Sequence, residues 1–324
     1  MTIKAENVRY MMVMKRISLL LLLSAFSIIG VRAQYDPSFS HYWAMEPSFN
    51  PATVGKEMKV NVAAAYNMTL TGFEHNPRTM YAGADIPFYF IRNYHGAGVQ
   101  FVNDQIGLFS HKKFALQYAF RHRLFGGMLA AGVHLGMISE SFDGGGVDLE
   151  TPDDPAFPTS EATGSGVDIG LGLYYRHHRW YAGLSVQHLN GPDIEIGERQ
   201  NFKIDPTYYL TAGYNIPLRN PFLSIHPSVL ARTDAVAYRV DVGGRVEYRH
   251  EKKLMYGGVS YSPTNSVTVL VGGDFHGVRL GYSYEIYTSA VSIGNGSHEL
   301  FIGYQTDMDL KKKGKNKHKS VRPL

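Results

Sequence analysis

The amino-acid sequence predicts an all-β protein: a transmembrane antiparallel β-barrel of about 14 strands, with an N-terminal periplasmic segment and a basic C-terminal tail. Three observations predict it: alternation of apolar and polar side chains, strand lengths suited to a bilayer, and a secretory leader. Between Val278 and Tyr287, the residues Val278, Leu280, Tyr282, Tyr284 and Ile286 alternate with Arg279, Gly281, Ser283 and Glu285. Between Arg239 and Arg249, Val240, Val242, Val246 and Tyr248 alternate with Arg239, Asp241, Arg245, Glu247 and Arg249. Successive side chains of a strand point to opposite faces, so each segment has one apolar and one charged face. A membrane barrel puts the first in lipid and the second in its lumen. A soluble sandwich would bury the first and wet the second. Length separates the two, because tilted strands need about 9–11 residues to cross the hydrocarbon, whereas soluble strands usually run about 5–6. Most of these segments have the longer span.

The elements follow in chain order. Lys15 and Arg16 precede the apolar run Ile17 to Ile29, and Val31-Arg32-Ala33 closes it. Residues 1–33 therefore read as a signal peptide cleaved near Ala33, the run being too short to favour a membrane anchor. Met11, Met12 and Met14 are alternative starts. Residues 34–55 lack alternation and form the expected periplasmic segment. The barrel is expected over 56–307, with strands near 57–67, 78–88, 95–103, 112–123, 127–139, 165–177, 179–188, 207–217, 222–232, 237–249, 254–262, 266–273, 277–287 and 298–307. The early Ala-rich and Gly-rich strands alternate less cleanly, which keeps twelve or sixteen strands open. Long loops are expected at Ser141 to Gly164 and Asn190 to Pro206, and short turns after every even-numbered strand. Outer-membrane barrels have short periplasmic turns and longer outside loops. An even strand number then puts both termini in the periplasm and the loop Ser141 to Gly164 outside.

Composition narrows the function classes. Without cysteine there is no disulfide framework and no thiolate metal site. The 22 Tyr suit aromatic girdles and the 34 Gly suit crowded, curved strands, although soluble β-proteins share both. The formal net charge of +4 belongs entirely to residues 1–33, and the mature chain is balanced. Residues 308–324 are the Lys-rich tail, where Lys311, Lys312, Lys313, Lys315, Lys317 and Lys319 stand without a single acid from 311 onward. A solvated, disordered end and an electrostatic tether for an acidic periplasmic partner or anionic envelope polymer are both open readings of it. Nucleic acid is not an expected partner in that compartment. Asp148, Glu150, Asp153, Asp154 and Glu161 crowd one loop, but without the regular spacing of a calcium loop. There is no zincin pair on a helix, no nucleophile elbow and no phosphate-binding loop. No catalytic residue, metal or cofactor is expected.

Several blocks resemble a known family. Asp36-Pro37-Ser38-Phe39-Ser40-His41-Tyr42 and Phe49-Asn50-Pro51-Ala52-Thr53-Val54-Gly55 are similar to the opening of the PorP/SprF family of Bacteroidota. Val102-Asn103-Asp104-Gln105-Ile106-Gly107-Leu108-Phe109, Pro227-Ser228-Val229-Leu230 and Leu280-Gly281-Tyr282-Ser283-Tyr284-Glu285 resemble its later blocks. Gly296-Ser297-His298-Glu299-Leu300 resembles its signature before the last strand. The chain departs where Leu70 or Thr71 stands in place of a frequent Trp, and in its tail. The resemblance implies an outer-membrane barrel serving type IX protein secretion and gliding machinery. Its expected partners are periplasmic and peptidoglycan-linked components of the machine, a secreted surface adhesin, and outer-membrane lipid. Asn50-Pro51 favours a turn, and the segment up to Gly55 is expected to plug or brace the barrel mouth. The rival reading is a passive transport channel, in which the charged inward faces line a wet pore. An outer-membrane enzyme is a weaker third.

Overall fold

The structure, a computed structural model, describes residues 36–73, 75–144, 161–196, 200–251, 253–263, 265–288 and 295–308. The alternation reads out directly as strands. They are β1 (Lys59–Met68), β2 (Arg78–Phe90), β3 (Asn93–Ile106), β4 (Phe109–Leu124), β5 (Gly127–Asp143), β6 (Glu161–Arg176) and β7 (Trp180–Gln187). The small strands β8 (Asp193–Ile196) and β9 (Gln200–Lys203) follow, then β10 (Thr207–Tyr214) with the stub β11 (Ile216–Pro217). The remainder are β12 (Leu223–Thr233), β13 (Tyr238–His250), β14 (Lys253–Ser262), β15 (Ser266–Phe275), β16 (Val278–Tyr287) and β17 (Ser297–Asp307).

Fourteen of these, leaving out β8, β9 and the stub β11, pair antiparallel in sequence order into a closed barrel. Closure comes from β17 against β1, from Lys59↔Asp307 to Met68↔His298. The β7–β10 pairing, from Gln187↔Thr207 to Trp180↔Tyr214, bridges the hairpin inserted after β7, and the β10–β12 pairing, from Tyr208↔Thr233 to Gly213↔Ser228, passes over the stub β11. Closure removes every edge, which is what a sheet in lipid requires. Both ends of the strand series lie at one mouth, here called the terminal mouth. Its two-residue turns Ile91–Arg92, Phe125–Gly126 and His276–Gly277 have positive φ at both positions, the conformation whose twist matches that of flanking strands. The longer connections gather at the opposite, loop mouth.

The outward face is predominantly apolar. Phe114, Leu116, Leu135, Leu184, Val259, Leu300 and Ile302 are each exposed by half or more. In water, such a surface would forfeit roughly 1.5–3 kcal/mol per large side chain, and in hydrocarbon it costs nothing. The inward face carries the charged side chains, several of them paired with one another, among apolar ones such as Ile138 and Phe301. Arg239 bridges Asp241 at 3.0 Å and Glu285 at 2.9 Å, and Arg245 bridges Glu247 at 2.8 Å.

Two features differ from expectation. The loop expected at 141–164 is shorter, because β5 continues to Asp143 and β6 begins at Glu161. The loop expected at 190–206 contains the β8–β9 hairpin, whose Ile194 and Ile196, with the following Ile204, pack on inward-facing Ile138 and Phe142 of β5.

Candidate functional site

The lumen contains the chain's own N-terminal segment. Residues 36–57 run from near the loop mouth, beside Lys113 and His188, to near the terminal mouth, beside Pro87 and Gly96. Three short 3-10 turns, Tyr42–Ala44, Glu46–Ser48 and Pro51–Thr53, shape it. Runs this short suit a connector that must bend to follow a cavity.

Its first anchor is Asp36. His188 Nε2 lies 3.0 Å from Asp36 Oδ1, and the Tyr209 hydroxyl donates to Oδ2 at 2.6 Å. The other ring nitrogen of His188 lies 2.8 Å from Asp168 Oδ1, and His134 Nε2 lies 2.9 Å from Asp168 Oδ2. Arg232 donates to the carbonyls of Asp36 and Pro37 at 2.9 and 3.0 Å. Burial alone would raise the Asp36 carboxyl. The charges of His188 and Lys113 and the hydrogen bonds from His188 and Tyr209 outweigh it and hold the group well below the usual carboxylate range. Burial would lower His188, but the Asp36 charge and the bonds to Asp168 and Asp36 raise it to about 9.

The pH dependence follows from the signs. A raised histidine contributes stability that is fully present below its unfolded value of about 6.5 and lost as pH rises through its folded value. A depressed carboxylate contributes stability present above about 3.9 and lost only in strong acid. The loop-mouth end of the segment is therefore expected to loosen as pH rises through about 9. Protease cleavage near Phe39 in the detergent-solubilised barrel, measured from pH 6 to 10, checks this. A flat profile contradicts it.

The second anchor joins the two family-like motifs. The backbone N–H groups of Ser40 and His41 donate to Glu299 Oε2 and Oε1 at 2.6 and 3.0 Å, and His41 Nδ1 lies 2.6 Å from Oε1. His41 also stacks on Phe301 at 5.7 Å, and Phe39 packs in the cluster formed with Met45, Ala63, Tyr81 and Phe301. The rest of the C-terminal motif serves the loop mouth. The Gly296 carbonyl accepts from Thr71 N–H at 2.8 Å, Ser297 Oγ accepts from Leu70 N–H at 3.1 Å, and His298 bonds Tyr282 on the outer face at 2.7 Å.

The third anchor is the Asn50-Pro51 turn. Asn50 Oδ1 accepts from Ala52 N–H at 3.0 Å, capping the last 3-10 turn, and Asn50 Nδ2 donates to Leu173 O on the wall at 3.1 Å. Gln187 and Ser185 each donate to the Phe49 carbonyl at 2.7 Å, and Gln117 donates to Pro47 O at 2.7 Å. Arg121 donates to the carbonyls of Ala52 and Val54. Gly55 turns the chain out with φ +64°, and its N–H donates to Asp85 at 2.7 Å. Wall glycines let this backbone close in: a Cβ at Gly96 would lie 2.0 Å from Val54 O.

The structure thus brings Asp36, Pro37, Phe39, Asn50, Pro51, Gly55 and Glu299 together on one inner segment and its wall, while Gly296, Ser297 and His298 organise the adjacent mouth. The sequence reading missed the wall residues that grip the segment: Gln117, Arg121, His188, Tyr209 and Arg232. Their only signal was a polar residue on an inward face. Lys311, Lys312, Lys313, Lys315, Lys317 and Lys319, the signal peptide at 1–33, and the acidic positions Asp148, Glu150, Asp153 and Asp154 lie outside the described residues, as does the Glu161 side chain. Among the described residues, no group of three or more His, Asp or Glu could hold a metal.

On the other side of the lumen a vestibule of about 690 Å³ opens at the terminal mouth. Trp43, Tyr256 and Phe301 line its inner end, together with Arg245 and Arg279; Lys59, Arg249, Lys253 and Asp307 line its rim.

Comparison with known proteins adds a family and an architecture. The family model described as type IX secretion system membrane protein PorP/SprF matches residues 31–304. No curated protein sequence matches the chain. Among solved structures, the Pseudomonas putida toluene transporter TodX is similar at 10% identity, covering 84% of this chain and 95% of that one, with a TM-score of 0.48. The CymD monoaromatic hydrocarbon channel matches at 12% identity over 86% and 95%, with a TM-score of 0.48. A Pseudomonas aeruginosa FadL homologue matches at 10% identity over 80% and 92%, with a TM-score of 0.46. At this distance the likeness says nothing of what this barrel carries.

Proposed function

This chain belongs to the PorP/SprF family of type IX secretion system membrane proteins, and from that premise we propose that it is a non-enzymatic outer-membrane component of the machine. It links periplasmic or peptidoglycan-linked components, or a secreted surface adhesin, to the outer membrane. In this reading the terminal mouth faces the periplasm. The last strand ends at that mouth with Asp307, and Lys311, Lys312, Lys313, Lys315, Lys317 and Lys319, which follow it in the sequence, are the proposed contact for an acidic partner. Within the family we assign the chain the role of the general component, PorP, rather than that of an accessory paired with one adhesin.

The observation that carries the reading is the occupied lumen. Residues 36–57 are held by wall side chains along their length, and the family-like motifs Asp36-Pro37, Asn50-Pro51 and Glu299 are spent on that grip. A passive channel would keep those polar groups for its permeant. Affinity purification of the tagged protein from solubilised outer membranes, followed by mass spectrometry, tests the proposal. Co-purifying periplasmic machine components support it. A solitary barrel that conducts steadily in planar bilayers favours the channel. Deleting the gene separates the two family roles: loss of all type IX export supports the general component, and loss of one adhesin alone contradicts it.

A further inference from the structure

We propose that one arc of the terminal mouth is a binding surface for the phosphate headgroups of anionic phospholipid. The arc comprises the four successive turns that join β2 to β3, β4 to β5, β6 to β7 and β10 to β12, which are neighbours along the rim because their strands are neighbours in the sheet. These turns with their flanking strand ends, residues 88–95, 121–128, 174–181 and 214–223, contain six Arg and no Asp or Glu. Arg121 is spent on the inner segment and Arg176 on Glu57. Arg92, Arg123, Arg179 and Arg219, one at each turn, are exposed and, among the described residues, in no ion pair. The rest of the rim is mixed: Lys59, Arg249 and Lys253 stand with Glu251, Asp274 and Asp307. At the loop mouth, the β8–β9 hairpin and its flank expose Asp193, Glu195 and Asp205 against Lys203. The unbalanced positive charge is therefore concentrated in this arc.

The apolar neighbours of these arginines decide what the arc meets. Ile91, 73% exposed, precedes Arg92, and Phe125, 86% exposed, follows Arg123 and Leu124. Exposed Leu218 precedes Arg219, and exposed Trp180 follows Arg179. Behind these tips lies the aromatic part of the lipid-facing wall. The Tyr175 hydroxyl donates to the carbonyls of Leu124 and Phe125 at 3.1 Å each. Trp180 packs on Tyr175 at 5.3 Å and on His177 at 5.9 Å, so two neighbouring turns are fixed to one aromatic platform. His95 does the same for the first turn, bonding the Tyr118 hydroxyl and the Phe90 carbonyl at 2.7 and 2.9 Å. Aromatic rings with a polar edge sit where hydrocarbon meets headgroups. An arginine there lays its stem on apolar surface and holds its guanidinium at phosphate level, where the planar fork suits paired phosphate oxygens. Tips as apolar as Ile91 and Phe125 are then covered by the acyl boundary. Charge and apolar tips thus share the edge that meets the bilayer, which makes lipid the occupant rather than an acidic protein. Neighbouring turns stand roughly 10 Å apart, two strand spacings, close enough for their charges to act on one patch of headgroups.

The inference rests on the barrel and not on its secretion role. Trp180 stands in the arc, while Trp43, the other of the two tryptophans, lies in the lumen beyond reach of a lipid chain. The purified protein is reconstituted in phosphatidylcholine bilayers holding a minor fraction of acyl-brominated phosphatidylglycerol or, as control, acyl-brominated phosphatidylcholine, and quenching of the tryptophan emission is compared. A preference for the anionic lipid of about fivefold or more is expected, the scale of one basic side chain at an anionic surface, and added salt should reduce it. The combined Arg123→Gln and Arg179→Gln variant should lose the preference, whereas Lys203→Gln, on the β8–β9 hairpin, should keep it. Heat-modifiable migration shows that each variant is folded. Arg179→Gln alone, expected to lower the preference, serves where the double variant does not assemble. Equal quenching by the two lipids, a preference that survives in the folded double variant, or one lost equally in Lys203→Gln would overturn the surface. Equal quenching together with Arg-dependent binding of poly-glutamate would assign the arc to an acidic protein instead. No machine component is present in the assay, so its failure would leave the secretion role standing.

Discussion

Glu299→Ala is expected to release the inner segment at the loop mouth and to destabilise the barrel by about 3–5 kcal/mol, the range for breaking a buried charge-assisted pair from one side. Glu299 is 2% exposed and receives three hydrogen bonds from two consecutive residues of the segment. Alanine leaves the backbone N–H groups of Ser40 and His41 buried and unpaired, each a penalty of about 1–3 kcal/mol. It also strips the His41 ring of the carboxylate that orients it against Phe301. Glu299→Gln keeps one acceptor oxygen and should lose much less. The measurement is the temperature at which the detergent-solubilised barrel shifts to its unfolded migration, together with protease cleavage near Tyr42. Alanine should lower the first and open the second, with glutamine between alanine and the unsubstituted protein. An alanine variant with both values unchanged would mean that the segment is held elsewhere.

The two halves of this site differed sharply in how well they could be read. The barrel wall was legible because period-two alternation survives in every strand, from Asn61 and Ala63 of β1 to Glu299 and Phe301 of β17. All fourteen expected strands have a counterpart within a few residues. The inner segment was legible only as motifs. It has no periodicity, being three single turns joined by bends, and its partners lie up to 259 positions away. Nothing local in Asp36-Pro37 points to His188 or Arg232. Glu299 reads as one more inward polar residue, and Arg121 and Gln117 read as lumen charge and amide. Only Asn50-Pro51 carried a local signal, the capped turn, and that signal says where the chain bends but not what it bends around. The β8–β9 hairpin was missed for a different reason. Strands of four residues in a polar stretch fall below the length at which alternation stands out, although Ile194, Ile196, Phe202 and Ile204 were there to be seen.

Gly132→Val is expected to leave the wall assembled and to push the Asn50-Pro51 turn off it, converting a closed lumen into a conducting one. Gly132 of β5 and Gly172 of β6 are direct cross-strand partners. A Cβ at Gly132 would lie 2.3 Å from Ala52 N, and one at Gly172 would lie 2.1 Å from Asn50 Oδ1. Ala52 is fully buried, so there is no solvent side to which it can slide. Either the wall or the segment must yield. At Gly132 the wall is paired on both sides, to Ala119 of β4 and to Gly172 of β6, within ladders whose hydrogen bonds lipid cannot replace. The segment is held there by side-chain contacts, Asn50 to Leu173 O and Arg121 to Ala52 O. The segment is the weaker body and moves, at a cost of about 1–3 kcal/mol for overpacking. Gly172→Val strikes the same turn, so the double variant should add little to either single one. Gly257→Val is the control, since a Cβ there meets nothing within 4 Å. Planar-bilayer recordings decide: frequent stepwise openings in Gly132→Val, with the unsubstituted protein and Gly257→Val silent, would identify the segment as what closes the lumen. Equal conductance in all three would remove that role from residues 36–57 and restore the charged inner face as a pore.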